Sequence, residues 1–362
     1  MNTEELYKLR PDTPDDNIYI KAKERWDSIA KPIDGLGDFE DIICRIASMK
    51  GQLIPDTDKK ALVIMCADNG VVCEGVTQTD QSVTAKVSEL MAENKSSVGV
   101  MTKRFSIDII PVDIGINSDK KIEGLIDRKI RKGTGNILKE PAMTKDECLR
   151  AIQTGIDIVK ELSDKGYSII ATGEMGIGNT TTSTALFCTL TQTDPETITG
   201  RGAGLDDEGL NNKIRVIKDS IAHHRFNRIG LNRSKEMAFE ALRYLGGLDI
   251  AGLVGVYIGA ALTRIPVIID GYISAVAAFC AYSIVSETKG YMIASHAGKE
   301  KGTAKVLDIL DLKAVIDADM ALGEGTGAVM MFPLIDMALD LYSNATMFDD
   351  TQIDSYERFD KQ

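Results

Sequence analysis

Apolar residues fall into two patterns along this chain. Short apolar runs, such as Ala61-Leu62-Val63-Ile64-Met65-Cys66 and Val267-Ile268-Ile269, read as strands buried on both faces of a parallel sheet; residues 107–114, 167–172 and 291–296 read the same way. Between them lie longer stretches at helical spacing, including residues 83–105, 145–165 and 329–341. At least five strand–helix units in series predict an α/β fold with a doubly wound, mostly parallel, Rossmann-like sheet. Residues 1–57 carry Trp26, Ile29, Ile42, Ile43, Ile46 and Met49 roughly at helical spacing, with a turn-rich break at 31–37 and no strand. They are assigned, with the C-terminal helix, to a smaller helical domain. The expected division is an N-terminal helical segment at 1–57, a large α/β domain at 58–310, and a C-terminal segment at 311–362 whose tail from 344 is loosely held.

The polar punctuation is informative because ligands of open parallel sheets bind outside the carboxyl ends of the strands. One strand ends in Ala67-Asp68-Asn69-Gly70, another in Asp270-Gly271 and the last in His296-Ala297-Gly298. The polar loop at 71–82 is a candidate binding loop. The strand at 167–172 runs into Gly173, Gly176 and Gly178, after which Asn179 starts a helix whose hydroxyl-rich first turn can cap it. Such a turn brings backbone N–H groups and the positive helix end to a phosphate. It has neither the Lys of a P-loop nor the spacing of the dinucleotide fingerprint, and on glycine content alone it is equally an ordinary tight connection. Glu174 shifts that balance, since a carboxylate beside an anion site is unfavourable unless it holds something in place.

Two further turns stand out. Residues 200–213 form a glycine-rich loop leading into a helix; its acids complement the helix dipole, and Lys213 is the more interesting residue. Leu322-Gly323-Glu324-Gly325-Thr326-Gly327 places a glutamate between glycines, where it is either an ordinary acid at a helix start or an uncrowded, approachable carboxylate. The basic loop around Arg128, Arg131 and Lys132 reads as an anion contact or, more commonly, a solvated charge cluster.

Composition narrows the functional classes. A hydrophobic content of 44% over 362 residues supports a large core. The net charge of -12 argues against a nucleic-acid surface. Three histidines are few for a metalloenzyme, and the adjacent His223-His224 is expected to point to different sides of a helix, so no metal site is expected. Six scattered cysteines without a C-x-x-C suit reduced thiols in a cytoplasmic core, and the acidic N-terminus is unlike a signal peptide. The uncharged stretches 250–263 and 271–286 fall short of the ~20 residues of a membrane span, so no membrane association is expected.

A phosphate cradle with one available carboxylate suits transfer of a phosphorylated sugar, where an oxocarbenium-like centre is stabilised and one proton removed. The motifs Gly173-Glu174-Met175-Gly176-Ile177-Gly178-Asn179-Thr180-Thr181, Gly246-Gly247-Leu248-Asp249-Ile250-Ala251-Gly252, Asp270-Gly271, Ser295-His296 and the Glu324 turn, with the 202–213 stretch, Ala67-Asp68-Asn69-Gly70 and Glu74-Gly75-Val76-Thr77, resemble the nicotinate-nucleotide:dimethylbenzimidazole phosphoribosyltransferase family of cobalamin biosynthesis. The resemblance implies phosphoribose transfer from nicotinate mononucleotide to 5,6-dimethylbenzimidazole, giving α-ribazole 5′-phosphate and nicotinate with inversion at C1′. It makes Glu324 the general base and Glu174 an organiser of the site. It assigns Met175, Gly176, Ile177, Gly178, Asn179, Thr180 and Lys213 to the phosphate and ribose, and Thr77, Gln81 and Leu322 to the incoming base. It implies no cofactor and a homodimer. Thr77 and Thr326 stand where members often have Ser, and residues 77–82 are polar for an aromatic pocket. Transfer to another base, such as adenine, another benzimidazole or a phenol, and non-catalytic nucleotide binding both remain open.

Overall fold

In the computed structural model, described over residues 1–228 and 234–358, the first long strand is buried along its whole length, and its alternating side chains belong to two different cores. Ala61, Val63, Met65 and Ala67 of this strand, β1 (Lys60–Ala67), face one core, and Leu62, Ile64 and Cys66 the other. That division by twos is what a strand between two helical layers requires. Against β1 pair β2 (Ile107–Gly115) and β4 (Ile169–Met175), with β3 (Ile126–Asp127) outside β2, and β5 (Val267–Ile269) and β6 (Met292–Ala294) beyond β4. All pairings are parallel in the order β3-β2-β1-β4-β5-β6, so the winding reverses between β1 and β4. In open parallel sheets a reversal of this kind is where ligands commonly bind, at the carboxyl ends of the strands.

One face of the sheet is covered by Lys145–Asp164, Asn179–Thr191, Lys235–Leu245, Leu248–Thr263 and Tyr272–Ile284, the other by Asp16–Ser28, Asp38–Lys50 and Thr326–Asn344. The helices from the two chain ends thus pack together and against the sheet, with Trp26 and Tyr342 rings 4.9 Å apart between them. A second, two-stranded parallel sheet joins β7 (His296–Gly298) to β8 (Ile316–Met320).

Several expectations need correction. The helix expected at 83–105 is two helices, Ser82–Ala92 and Ser97–Thr102, because Asn94 takes φ +52° and the Ser96 hydroxyl caps a new start by accepting from Gly99 N. The central strand begins later and continues to Met175, so Glu174 lies on the strand and the turn proper is shorter. The last apolar run is split: β6 ends at Ala294, and His296 begins β7, which pairs with a strand whose acidic, exposed residues gave no apolar signal. In the polar tail, Arg358 donates to both oxygens of Asp27 and of Asp34 at 2.6–2.9 Å; residues 359–362 lie outside the described part.

Candidate active site

The carboxyl ends of β1, β4 and β5 deliver Asp68-Asn69, Glu174 and Asp270 to the same edge of the sheet. A cavity of about 240 Å³ opens there, its walls including Glu174, Thr180, Asp270, His296 and Leu322. After β4 the chain turns at Gly178, φ +92°, and starts the helix Asn179–Thr191 without any side-chain cap. The expected side-chain cap is absent because the cap position is Gly178, which has no side chain, and the polar residues after it already lie inside the helix. Asn179 Nδ2 donates to Glu174 Oε2 and, at 2.9 Å, to Asp249 Oδ2. One amide therefore separates two carboxylates. Burial pushes the Glu174 carboxyl up to about 8, with the Asn179 bond opposing and Asp249, Asp270 and Glu324 adding to the rise. Burial likewise raises Asp249 to about 6. Asp249 and the neighbouring Asn69 side chain are both fully buried and lie outside the cavity wall.

Met175, Gly176, Ile177, Asn179 and Thr180 all line the cavity, whereas Gly178 does not. The turn is less bare than its glycines suggest, since Ile177 N donates to Thr84 Oγ1 at 3.2 Å. Lys213, 1% exposed, lies behind the wall and donates from Nζ to Thr180 Oγ1 at 2.8 Å and to Gly200 O at 3.2 Å. Burial lowers its ammonium to about 8, against the opposing pull of Glu300. A buried cation next to a helix start is a suitable anchor for a phosphate.

Glu324 sits differently. Its φ is +60°, between Gly323 and Gly325 at +84° each. A non-glycine residue in this region costs on the order of 1–3 kcal/mol and persists only when its surroundings impose it. Those surroundings are visible: the turn is lodged on β4 at Gly173, where a Cβ would come within 2.9 Å of Glu324 O. Asp270, 4% exposed, accepts from Gly325 N, Gly327 N and Ala328 N at 3.0–3.1 Å. Glu324 Oε2 accepts from Val98 N at 3.1 Å, and the residue is not part of the cavity wall although Gly323 is.

Thr77 and Gln81 also lie outside the cavity. Gln81 bridges two strand ends, donating to Asn69 O at 3.1 Å and accepting from Asn117 Nδ2 at 2.8 Å, while Thr77 Oγ1 accepts from Thr79 N at 3.5 Å. The basic loop is paired rather than open: Arg128 with Glu161, Lys129 with Asp113, Arg131 with Glu147 and Lys132 with Asp119. His223 and His224 do not diverge as expected, because the helix ends at His223; their rings lie 4.8 Å apart and each meets a backbone carbonyl. The roles of Asp249, Asp270 and Val98 in holding the two glutamates went unread from sequence, although Asp249 and Asp270 stood in glycine-flanked motifs.

The phosphoribosyltransferase family profile matches residues 12–353. The chain is 44% identical to the nicotinate-nucleotide–dimethylbenzimidazole phosphoribosyltransferase of Acetivibrio thermocellus over 93% of its length and 94% of the relative's. It is 43% identical to the enzyme of the same name from Ruminiclostridium cellulolyticum over the same shares. The crystal structure of the nicotinate-nucleotide–dimethylbenzimidazole phosphoribosyltransferase from Thermus thermophilus superposes with a TM-score of 0.85 at 29% identity, covering 93% of this chain and 98% of that one.

Proposed function

Because the chain belongs to the nicotinate-nucleotide–dimethylbenzimidazole phosphoribosyltransferase family, we propose that it transfers phosphoribose from nicotinate mononucleotide to 5,6-dimethylbenzimidazole, with inversion at C1′, in making the lower ligand of cobalamin. The products are α-ribazole 5′-phosphate and nicotinate. The observation that carries the assignment of roles is the Glu324 turn: a carboxylate on strained backbone that is held by Asp270 and by Gly173, beside a cavity walled by a helix start and backed by Lys213.

In this reading the nucleotide phosphate rests on the segment from Met175 to Thr180, with Lys213 behind Thr180. The nicotinate ring leaves as a neutral pyridine from a cationic pyridinium, so the departing nitrogen needs no acid. Glu324 takes the N–H proton of the benzimidazole as the other ring nitrogen attacks C1′ from the opposite face. That Glu324 lies outside the cavity wall supports approach from a second side. Glu174, kept neutral by burial, organises the floor and adds no second negative charge beside the phosphate. Leu322, 55% exposed on the cavity rim, with Thr77 and Gln81, is assigned to the incoming base.

The substrates are small molecules, and the reading includes neither a metal nor another cofactor. No helix among the described residues is long and apolar enough to cross a membrane. We place the enzyme in the cytoplasm, as a homodimer. The second assignment is supported by exposed apolar side chains at Met330, Met337 and Leu341 along Thr326–Asn344 and at Val100 and Met101 of the helix Ser97–Thr102 that packs against it. The test of function offers nicotinate mononucleotide with dimethylbenzimidazole, adenine and p-cresol together and resolves products by chromatography and mass. Dominant α-ribazole phosphate is expected. A dominant adenine or cresol product would keep the reaction and move the acceptor, and no product despite tight nucleotide binding would leave a nucleotide-binding protein.

A further inference from the structure

The helix Thr326–Asn344 starts without a side-chain cap of its own. The donors of its first turn are met instead by a residue from a different strand, far away in sequence. Asp270, just past the end of β5, turns both carboxylate oxygens to this turn: Oδ2 accepts from Gly325 N at 3.1 Å, and Oδ1 accepts from Gly327 N and Ala328 N at 3.0 Å each. These three N–H groups begin one residue after Glu324. Behind the turn stands His296, whose Nδ1 is 2.9 Å from Ser295 Oγ, while Ser295 Oγ donates to Ile269 O at 2.6 Å. A Cβ on residue 327 would fall 2.0 Å from His296 Nδ1, so the imidazole occupies the space that Gly327 leaves. The end of β5, the start of β7 and the first turn of the helix are thereby closed on one another.

We propose that Asp270 is a positioning residue for phosphoribosyl transfer: its carboxylate, bound to the three N–H groups, holds Glu324 in the left-handed conformation from which it removes the proton. The inference rests on the reading of Glu324 as the base. Three observations support it. Asp270 is 4% exposed, and a buried carboxylate is retained only where its oxygens are satisfied, as both are here. With both oxygens engaged by the turn, it is not the group that moves a proton. Finally, the strained φ of Glu324 lies between this contact and the seat on Gly173, so the strain has an identifiable restraint on each side. Asn at this position would offer one acceptor oxygen and set an NH2 group against backbone N–H groups that need an acceptor.

The experiment measures kcat with nicotinate mononucleotide and dimethylbenzimidazole, and nucleotide affinity by calorimetry, for the full-length D270N, D270E, E324Q and D270N/E324Q variants. The expected result is a fall in kcat of ~10²-fold in D270N, as displacement of a catalytic group by about 1 Å produces, with nucleotide Kd within about threefold of wild type. The double variant should be no slower than E324Q, because displacing a base that is already absent has no further effect. D270E keeps the charge but moves the oxygens by one methylene; it should also lower kcat, and it carries the test if D270N does not fold. A wild-type kcat in either folded variant, a Kd loss that matches the kcat loss, or multiplicative losses in the double variant would overturn the proposal. A slow E324Q beside a fast D270N would remove only the positioning role. An E324Q enzyme as fast as wild type would remove the base assignment itself.

Discussion

Two glycine-rich segments each carry one glutamate, one on the last residues of a strand and one in a turn, and they treat it in opposite ways. At the end of β4, Glu174 has ordinary strand backbone and is held by an amide shared with Asp249, with burial raising its carboxyl to about 8. In the turn before Thr326–Asn344, Glu324 has strained backbone at φ +60° and a carboxylate that accepts from Val98 N. The first environment disfavours a charge on its glutamate; the second holds its glutamate on strained backbone. Similar composition therefore gives a buried carboxyl raised in one place and a carboxylate on strained backbone in the other, and the difference comes from neighbours distant in sequence.

The two environments separate most sharply at Glu324. Glu324→Gln should lower the rate by ~10²–10⁴-fold while nucleotide binding, followed by calorimetry, stays near wild type. Lys213→Ala should act on the other side of the division, raising the nucleotide KM by roughly 10–100-fold with a smaller change in kcat, as loss of a charge-assisted phosphate contact does. The same KM should rise in wild type as pH climbs through about 8, where the buried ammonium loses its proton. Gly173→Ala moves one turn against the other. Its Cβ would push on Glu324 O from 2.9 Å, and the expected outcome is destabilisation of ~1–3 kcal/mol with a lowered kcat, read by thermal melts and steady-state rates.

A further effect concerns stability and pH at Glu174. Its folded value of about 8 lies above the ordinary 4.5, so the folded state binds the extra proton. Its contribution to stability is therefore greatest at low pH and is lost as pH rises from about 4.5 to about 8, once the unfolded chain ionises. Glu174→Gln cannot ionise. Its Tm relative to wild type should increase across that window, and a Tm difference independent of pH would contradict a neutral Glu174.

The fold was legible because the apolar runs of β1, β4 and β5 are strands buried on both sides, which leave a continuous signal. Strands β3 and β8 were not, the one being two residues long and the other exposing Asp317 and Asp319. The break at Asn94 was missed because the apolar spacing runs across it. Within the candidate site, the sequence offers the glycines, Glu174, Lys213 and Glu324 as candidates by residue type and setting. What each side chain touches was not legible. Asn179 looked like a helix cap and serves as a bridge between carboxylates, and Asp270 looked like a strand terminus and holds a turn that begins more than fifty residues later. Such pairings depend on which strand ends the topology brings together, and β5 meets the 322–327 turn only through the three-dimensional order of the sheet.

With Glu324 as the single base, transfer at C1′ is one displacement without a covalent intermediate. The anomeric configuration of the product formed from nicotinate mononucleotide and dimethylbenzimidazole, determined by NMR, tests this most directly. An exclusively α-configured ribazole phosphate is predicted, because one in-line attack inverts the β-nucleotide. A β-configured product would mean two displacements through an enzyme-bound sugar, and would contradict the role assigned to Glu324.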